Sequence, residues 1–120
     1  MFELIKQTGL KKLVFHCYSE DTSFAKKILD YSDEAYFWFS GILTYKNAIN
    51  IQDAAYSIPL GRILIETDSP FLSPQPVRWQ VNEPSNVRFV FEKLCELRPE
   101  WKEEVEKQVY ANSLRFYNMK

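Results

Sequence analysis

"LVFHCYSED", Leu13 to Asp21, carries the only histidine of the 120-residue chain at the end of a short apolar run. The segment Lys12 to Cys17 is brief, apolar and β-prone, which predicts a buried strand rather than a helix. Just beyond it, Ser19, Asp21 and Thr22 are N-cap residue types, and Phe24, Ala25, Ile28 and Leu29 recur on one helical face. A strand thus feeds a helix through a tight loop, with His16 at the junction. Whether that imidazole is a metal ligand or only closes the strand depends on which other residues reach the same edge.

Working outward, Met1 to Lys12 reads as the tail of a helix, with Gly9 as its C-terminal stop. "AYFWFSG", Ala35 to Gly41, is an unbroken aromatic run, predicted to be a strand with both faces covered. "YKNAINIQDAAYSIP" predicts a helix that Pro59 closes, and "RILIETD", Arg62 to Asp68, predicts a third strand. A Pro-rich loop follows, from Ser69 to Pro84. Val87, Val90, Phe91, Leu94 and Cys95 then trace an amphipathic helix. Pro99 is expected to open another helix carrying Trp101, Val105 and Val109, with a helical ending through Leu114 and Phe116. This alternation predicts an α/β fold with parallel strands and right-handed helical crossovers. Periodicity leaves two forms open, a small doubly wound sheet or a piece of a β/α barrel.

Composition narrows the class. Hydrophobic residues make up 46% of the chain, enough for a packed core. The net charge of -1 supplies no global basic field for nucleic acid, though local phosphate contacts need none. Cys17 and Cys95 form no CxxC pair, which points to a reducing, cytoplasmic setting. No apolar run approaches the roughly 18 residues of a membrane span, and no leader pattern is visible. A nucleotide-binding α/β domain is disfavoured, because none of the three glycines stands in a GxGxxG or P-loop spacing.

Three polar residues hold equivalent places: His16 near the end of the first strand, Ser40 at the end of the second, Asp68 after the third. Parallel strands put them on one carboxyl-terminal edge, where α/β sheets bind ligands and β/α barrels hold active sites. A histidine and a carboxylate there can ligate a hard or borderline divalent cation. Singly, each is more often a hydrogen-bonding or turn-forming residue. "ETDSPFLSP", Glu66 to Pro74, is more specific, since it ends a buried strand with acid where a barrel gathers its chemistry. In the loop beyond, the Arg78 fork can hold a phosphate and Trp79 can stack on a base. The alternative is a solvated arginine and a loop-covering tryptophan.

Four segments in order carry a family resemblance: "FHCYS" (Phe15–Ser19), "FSGILTYKNA" (Phe39–Ala48), "IPLGRILIETDSPFLSP" (Ile58–Pro74) and "NEP" (Asn82–Pro84) with Arg88 beyond. The closing "ANSLRFY", Ala111 to Tyr117, adds to it. The chain resembles the C-terminal part of a TatD-type metal-dependent deoxyribonuclease. The resemblance implies an eight-stranded β/α barrel with two divalent metals (Zn, Mg or Mn) that hydrolyses phosphodiesters, trimming DNA from the 3′ end. It implies that His16 is the metal ligand of the sixth strand. Asp68 would be a ligand of the other metal and the catalytic residue that orients or deprotonates water.

The family's His-x-His pair, bridging Glu and fifth-strand His have no counterpart in a chain with one histidine. Val77-Arg78-Trp79-Gln80-Val81 stands where the family has His-Arg-Gly followed by basic residues. The chain therefore corresponds to the last three βα units, a partial TIM-type barrel forming a single incomplete domain over residues 1–120. It is expected to hold metal weakly or not at all alone, and to be inactive without a complementing N-terminal half. Tyr36 to Phe39 is expected to show side chains to water on one face. The implied partners are DNA, the N-terminal barrel half, or a second copy joined through exposed strand edges, with no membrane. The alternative is a catalytically inactive remnant or an interaction module.

Overall fold

The computed structural model describes residues 1–119. Three strands, β1 (Leu13–Phe15), β2 (Ala35–Phe39) and β3 (Ile63–Ile65), form one parallel sheet in the order β1-β2-β3. The register pairs Phe15 with Phe37, and Phe37 with Ile63. Parallel neighbours need long crossovers, and helices supply them: α2 (Thr22–Tyr31) between β1 and β2, α3 (Ile49–Ser57) between β2 and β3. Helix α1 (Phe2–Thr8) precedes the sheet, and α4 (Val87–Leu97) and α5 (Lys102–Phe116) follow it. The strand order never reverses, as in an arc of a barrel and unlike a doubly wound sheet with its switch point.

The predicted caps are in place. Gly9 takes the left-handed conformation (φ 71°) that ends α1, and Asp21 Oδ1 accepts from Phe24 N at 2.9 Å to start α2. Pro59 restricts Ile58 to extended backbone, so α3 stops at Ser57. Two boundaries differ from expectation. β1 and β3 pair for only three residues each, because the chain leaves the ladder at Cys17 (φ 49°) and Asp68 (φ 55°). Helix α5 starts at Lys102 rather than at Pro99, and Trp101, held in extended backbone ahead of it, is exposed.

β2 is covered on both sides. Its Ala35, Phe37 and Phe39 join Ala25, Ile28, Leu43, Ala54, Ala55, Val90 and Leu94 in the core, all nearly or fully inaccessible. Its opposite face was expected to be open to water, and it is so only in part: Trp38 stays partly exposed, while Tyr36 is buried. Phe116 meets Tyr36 and Trp38 edge-on at centroid distances of 5.4 and 5.5 Å, and Tyr117 reaches Trp38 at 6.4 Å. Tyr36 is left 6% exposed. A sheet of three strands presents a face narrow enough for one helix end to shield its aromatic row.

Buried polar side chains fix the elements that lead to the sheet's carboxyl edge. Asn112, fully inaccessible on α5, donates through Nδ2 to Leu60 O and Ile63 O, both at 2.8 Å, and so pins β3. Arg98 Nη1 donates to the carbonyls of Ala55, Tyr56 and Ile58 at the end of α3. Glu100 grips the same guanidinium through two bonds of 2.9 Å. Gly41, just past β2, lies so close to the loop after β3 that a Cβ would sit 2.0 Å from Leu72 O. Only glycine allows that approach. No helix among the described residues is long and apolar enough to cross a membrane.

Candidate metal centre

Alternation along the strands sets which side chains share the face that Phe116 partly covers. Val14 belongs to β1 with His16 just past it, Tyr36 and Trp38 belong to β2, and Leu64 belongs to β3 with Glu66 just past it. Backbone bonds extend the sheet slightly past its strands: Tyr18 N donates to Trp38 O at 2.8 Å, and Glu66 N to Phe39 O at 2.9 Å. His16 and Glu66 are thereby delivered to the same edge. The His16 ring lies 5.7 Å from that of Trp38, centroid to centroid, and its Nε2 is 3.3 Å from Glu66 Oε2.

The left-handed backbone at Cys17 turns its amide and thiol towards Glu66. Cys17 N donates to Glu66 Oε1 at 3.1 Å, and Sγ donates to the same oxygen at 2.7 Å. The Glu66 side chain is only 8% exposed, and its Oε2 has no hydrogen-bond partner among the described residues. Asp68, also left-handed, completes the group. Ligand atoms of His16, Cys17 and Asp68 all lie within 4.8 Å of one another. Burial pushes the Glu66 carboxyl above its ordinary range, against the pull of the Cys17 bond and of His16. Burial, then the Glu66 bond and charge, push the Cys17 thiol up to about 12.

The family model described as TatD related DNase matches residues 1–118. The chain belongs to that family.

Among TatD relatives, it is 42% identical over 106 residues to the uncharacterized metal-dependent hydrolase YcfH of Escherichia coli strain K12, covering 88% of this chain and 39% of that protein. An uncharacterized metal-dependent hydrolase of Mycoplasma pneumoniae is 35% identical over 121 residues, covering 98% of this chain and 46% of the relative. The crystal structure of YjjV, a TatD homolog from Escherichia coli K12, superposes with a TM-score of 0.89 at 27% identity, over 99% of this chain and 46% of that one. The chain thus spans less than half the length of the relatives it matches, and its fold is a partial TIM-type β/α barrel.

The TatD segments read from sequence take distinct places. His16 and Asp68 come together, as their strand-end positions implied. Ser40 is buried at the end of β2. Arg78 does not join the cluster; its guanidinium stacks 3.7 Å over the Tyr45 ring, and Tyr45 OH donates to Ser73 O at 3.0 Å. Trp79 is 97% exposed on the rim loop.

The Asn of "NEP" is a scaffold residue. Buried Asn82 donates to Thr67 O and Phe71 O, both at 2.8 Å, and accepts from Asn86 Nδ2 at 3.0 Å. It therefore clamps the loop on either side of Asp68. Sequence reasoning missed Cys17 and Glu66 as members of the site. Glu66 carried a usable signal, an acid two residues after Leu64 on the inward-facing period of a strand. Cys17 carried only its adjacency to His16.

Proposed function

We propose that this chain is the C-terminal portion of a divalent-metal-dependent phosphodiester hydrolase that acts on DNA from the 3′ end. The observation that carries the reading is the convergence of His16, Cys17 and Asp68 donors within 4.8 Å at the carboxyl edge of a parallel sheet. The donor chemistry fits a divalent ion: one imidazole, one carboxylate, and a buried Glu66 Oε2 with no hydrogen-bond partner among the described residues. His16 and Asp68, which the resemblance assigns to different metals, would here share one ion, Zn, Mg or Mn, because their donor atoms lie within 4.8 Å of each other. Bound there, such an ion lowers the pKa of water towards neutrality and stabilises the attacking and leaving oxygens.

The chain's own residues do the rest. Asp68 orients the attacking water and accepts its proton. Glu66, beside Nε2, fixes the orientation of the His16 ring. Arg78, lifted from Tyr45, offers a planar fork to a phosphate, and Trp79 offers an open face for base stacking. The free edges of β1 and β3, each paired on one side only, fit an N-terminal barrel half that brings further ligands.

The test is cleavage of 3′-labelled DNA with Mn2+ or Zn2+, by this chain alone and mixed with the N-terminal half of a relative. The reading expects cleavage from the mixture, lost with His16→Ala or Asp68→Asn. An inert mixture, under conditions where the intact relative cuts, would count against it. The second reading is a non-catalytic binding module, favoured by Phe116 and Tyr117 partly covering the aromatic row within this chain. It expects no turnover with any metal and no effect of His16→Ala.

A further inference from the structure

We propose that Cys17 is itself a metal ligand, so that this chain presents a Cys–His–Asp set that takes a thiophilic divalent ion, Zn2+ above all, in preference to Mg2+ or Mn2+. The inference rests on the metal-site reading of His16 and Asp68 and adds to it the third donor and the class of ion.

Strand geometry alone would send Cys17 to the opposite face from His16, because successive side chains alternate. The backbone prevents this. At Cys17 φ is 49°, a region that residues other than glycine seldom occupy, and the turn returns Sγ to the side of His16. A cysteine serving only to pack would lie among the hydrocarbons of Phe15 and Phe37. Instead Sγ is 2.7 Å from a carboxylate oxygen and within 4.8 Å of donors on both His16 and Asp68.

The surroundings call for a cation. Glu66 is nine-tenths buried, its Oε2 lacks a hydrogen bond, and Asp68 stands beside the same group. Among the described residues no lysine or arginine forms an ion pair with either acid; the His16 ring is the one basic side chain in reach. The donor types then select the ion. Sulfur with imidazole and carboxylate suits Zn2+, with a fourth position left open, whereas Mg2+ demands oxygen ligands in octahedral array. On binding, the metal replaces the thiol hydrogen and that proton passes to the buffer; the Cys17 amide keeps its bond to Glu66.

Cobalt(II) titration of the 120-residue chain tests this without any activity assay. The expected spectrum has visible d–d bands and a near-ultraviolet sulfur-to-cobalt charge-transfer band. Zn2+ should erase both at equimolar addition, and excess Mg2+ should erase neither. Cys17→Ser should lose the charge-transfer band and bind Zn2+ at least about tenfold more weakly, while Cys95→Ser keeps the band. Visible bands that depend on His16 but come without charge transfer would overturn the role of Cys17 and leave the metal site standing. So would a charge-transfer band that survives Cys17→Ser. No cobalt spectrum at all would remove the metal site and this inference together. Should Cys17→Ser unfold by circular dichroism, X-ray absorption at the zinc edge of the unsubstituted chain decides. A sulfur neighbour at about 2.3 Å is expected; nitrogen and oxygen neighbours alone would refute the proposal.

Discussion

The two faces of β2 are built by different rules. Towards the helices, Ala35, Phe37 and Phe39 enter a core with no polar side chain on the strand and no exposure. Phe37 is locked there by stacking on Phe15 and edge contact with Tyr18. On the other face, Tyr36 and Trp38 meet the end of α5, Trp38 also lies against His16, and beyond them the sheet runs into Glu66 and Asp68. The first face makes the chain fold. The second is partly covered by a few aromatic edges, and it ends in two acids that no lysine or arginine among the described residues pairs with. Stability and chemistry are therefore separable in this molecule, and substitutions on the two faces should have different readouts.

The largest expected effect is on the core face. Phe37→Ala removes a fully buried ring and should cost about 3–5 kcal/mol in urea unfolding. A cost no greater than that of Phe116→Ala would erase the distinction between the faces. Next is the loop clamp. Asn82→Ala leaves Thr67 O and Phe71 O without their donor and should cost about 2–3 kcal/mol. Unlike Phe37→Ala, it should also weaken metal binding in the still-folded fraction, because Asp68 lies between the two freed carbonyls.

Phe116→Ala should be milder, about 1–2 kcal/mol. Its signature is a red-shifted Trp38 emission and increased dye binding as the aromatic row opens. Unchanged emission would show that the face is covered by something other than α5.

The smallest effect concerns Glu100, far from both faces. Its bonds to Arg98 hold its carboxyl below the ordinary glutamate range. A carboxyl depressed by folding contributes stability above its unfolded pKa and loses it as pH falls through the folded value. Glu100→Gln should therefore cost about 1 kcal/mol or less at neutral pH, with the difference from the parent chain vanishing in acid. A difference that grew on acidification would refute the assignment.

Much of this was legible in the residues. The alternation of β-prone and amphipathic segments foretold the parallel sheet, and the ETD and NEP signatures foretold the family. His16 and Asp68 were visible because strand ends can be located by pattern. Cys17 and Glu66 were not, since their meeting depends on a left-handed turn that no periodicity encodes. The same turns shortened β1 and β3 below the lengths their apolar runs implied. Arg78 on Tyr45 and Phe116 on Trp38 join residues far apart in the chain, so no local rule could pair them. The expectation of an open aromatic face was met only in part, at Trp38, for that reason: strand alternation tells which side chains share a face, but not what covers it.

The most direct test of the central claim is the melting midpoint of the chain with and without Zn2+. A ligand bound only by the folded state adds about 2.7 kcal/mol at a hundredfold excess over its dissociation constant. The account, which adds Cys17 as a third donor to the two residues from which weak or no binding was expected, predicts a concentration-dependent rise for the parent chain that disappears in both His16→Ala and Asp68→Asn. A rise of equal size in all three, or none in the parent chain, would contradict it.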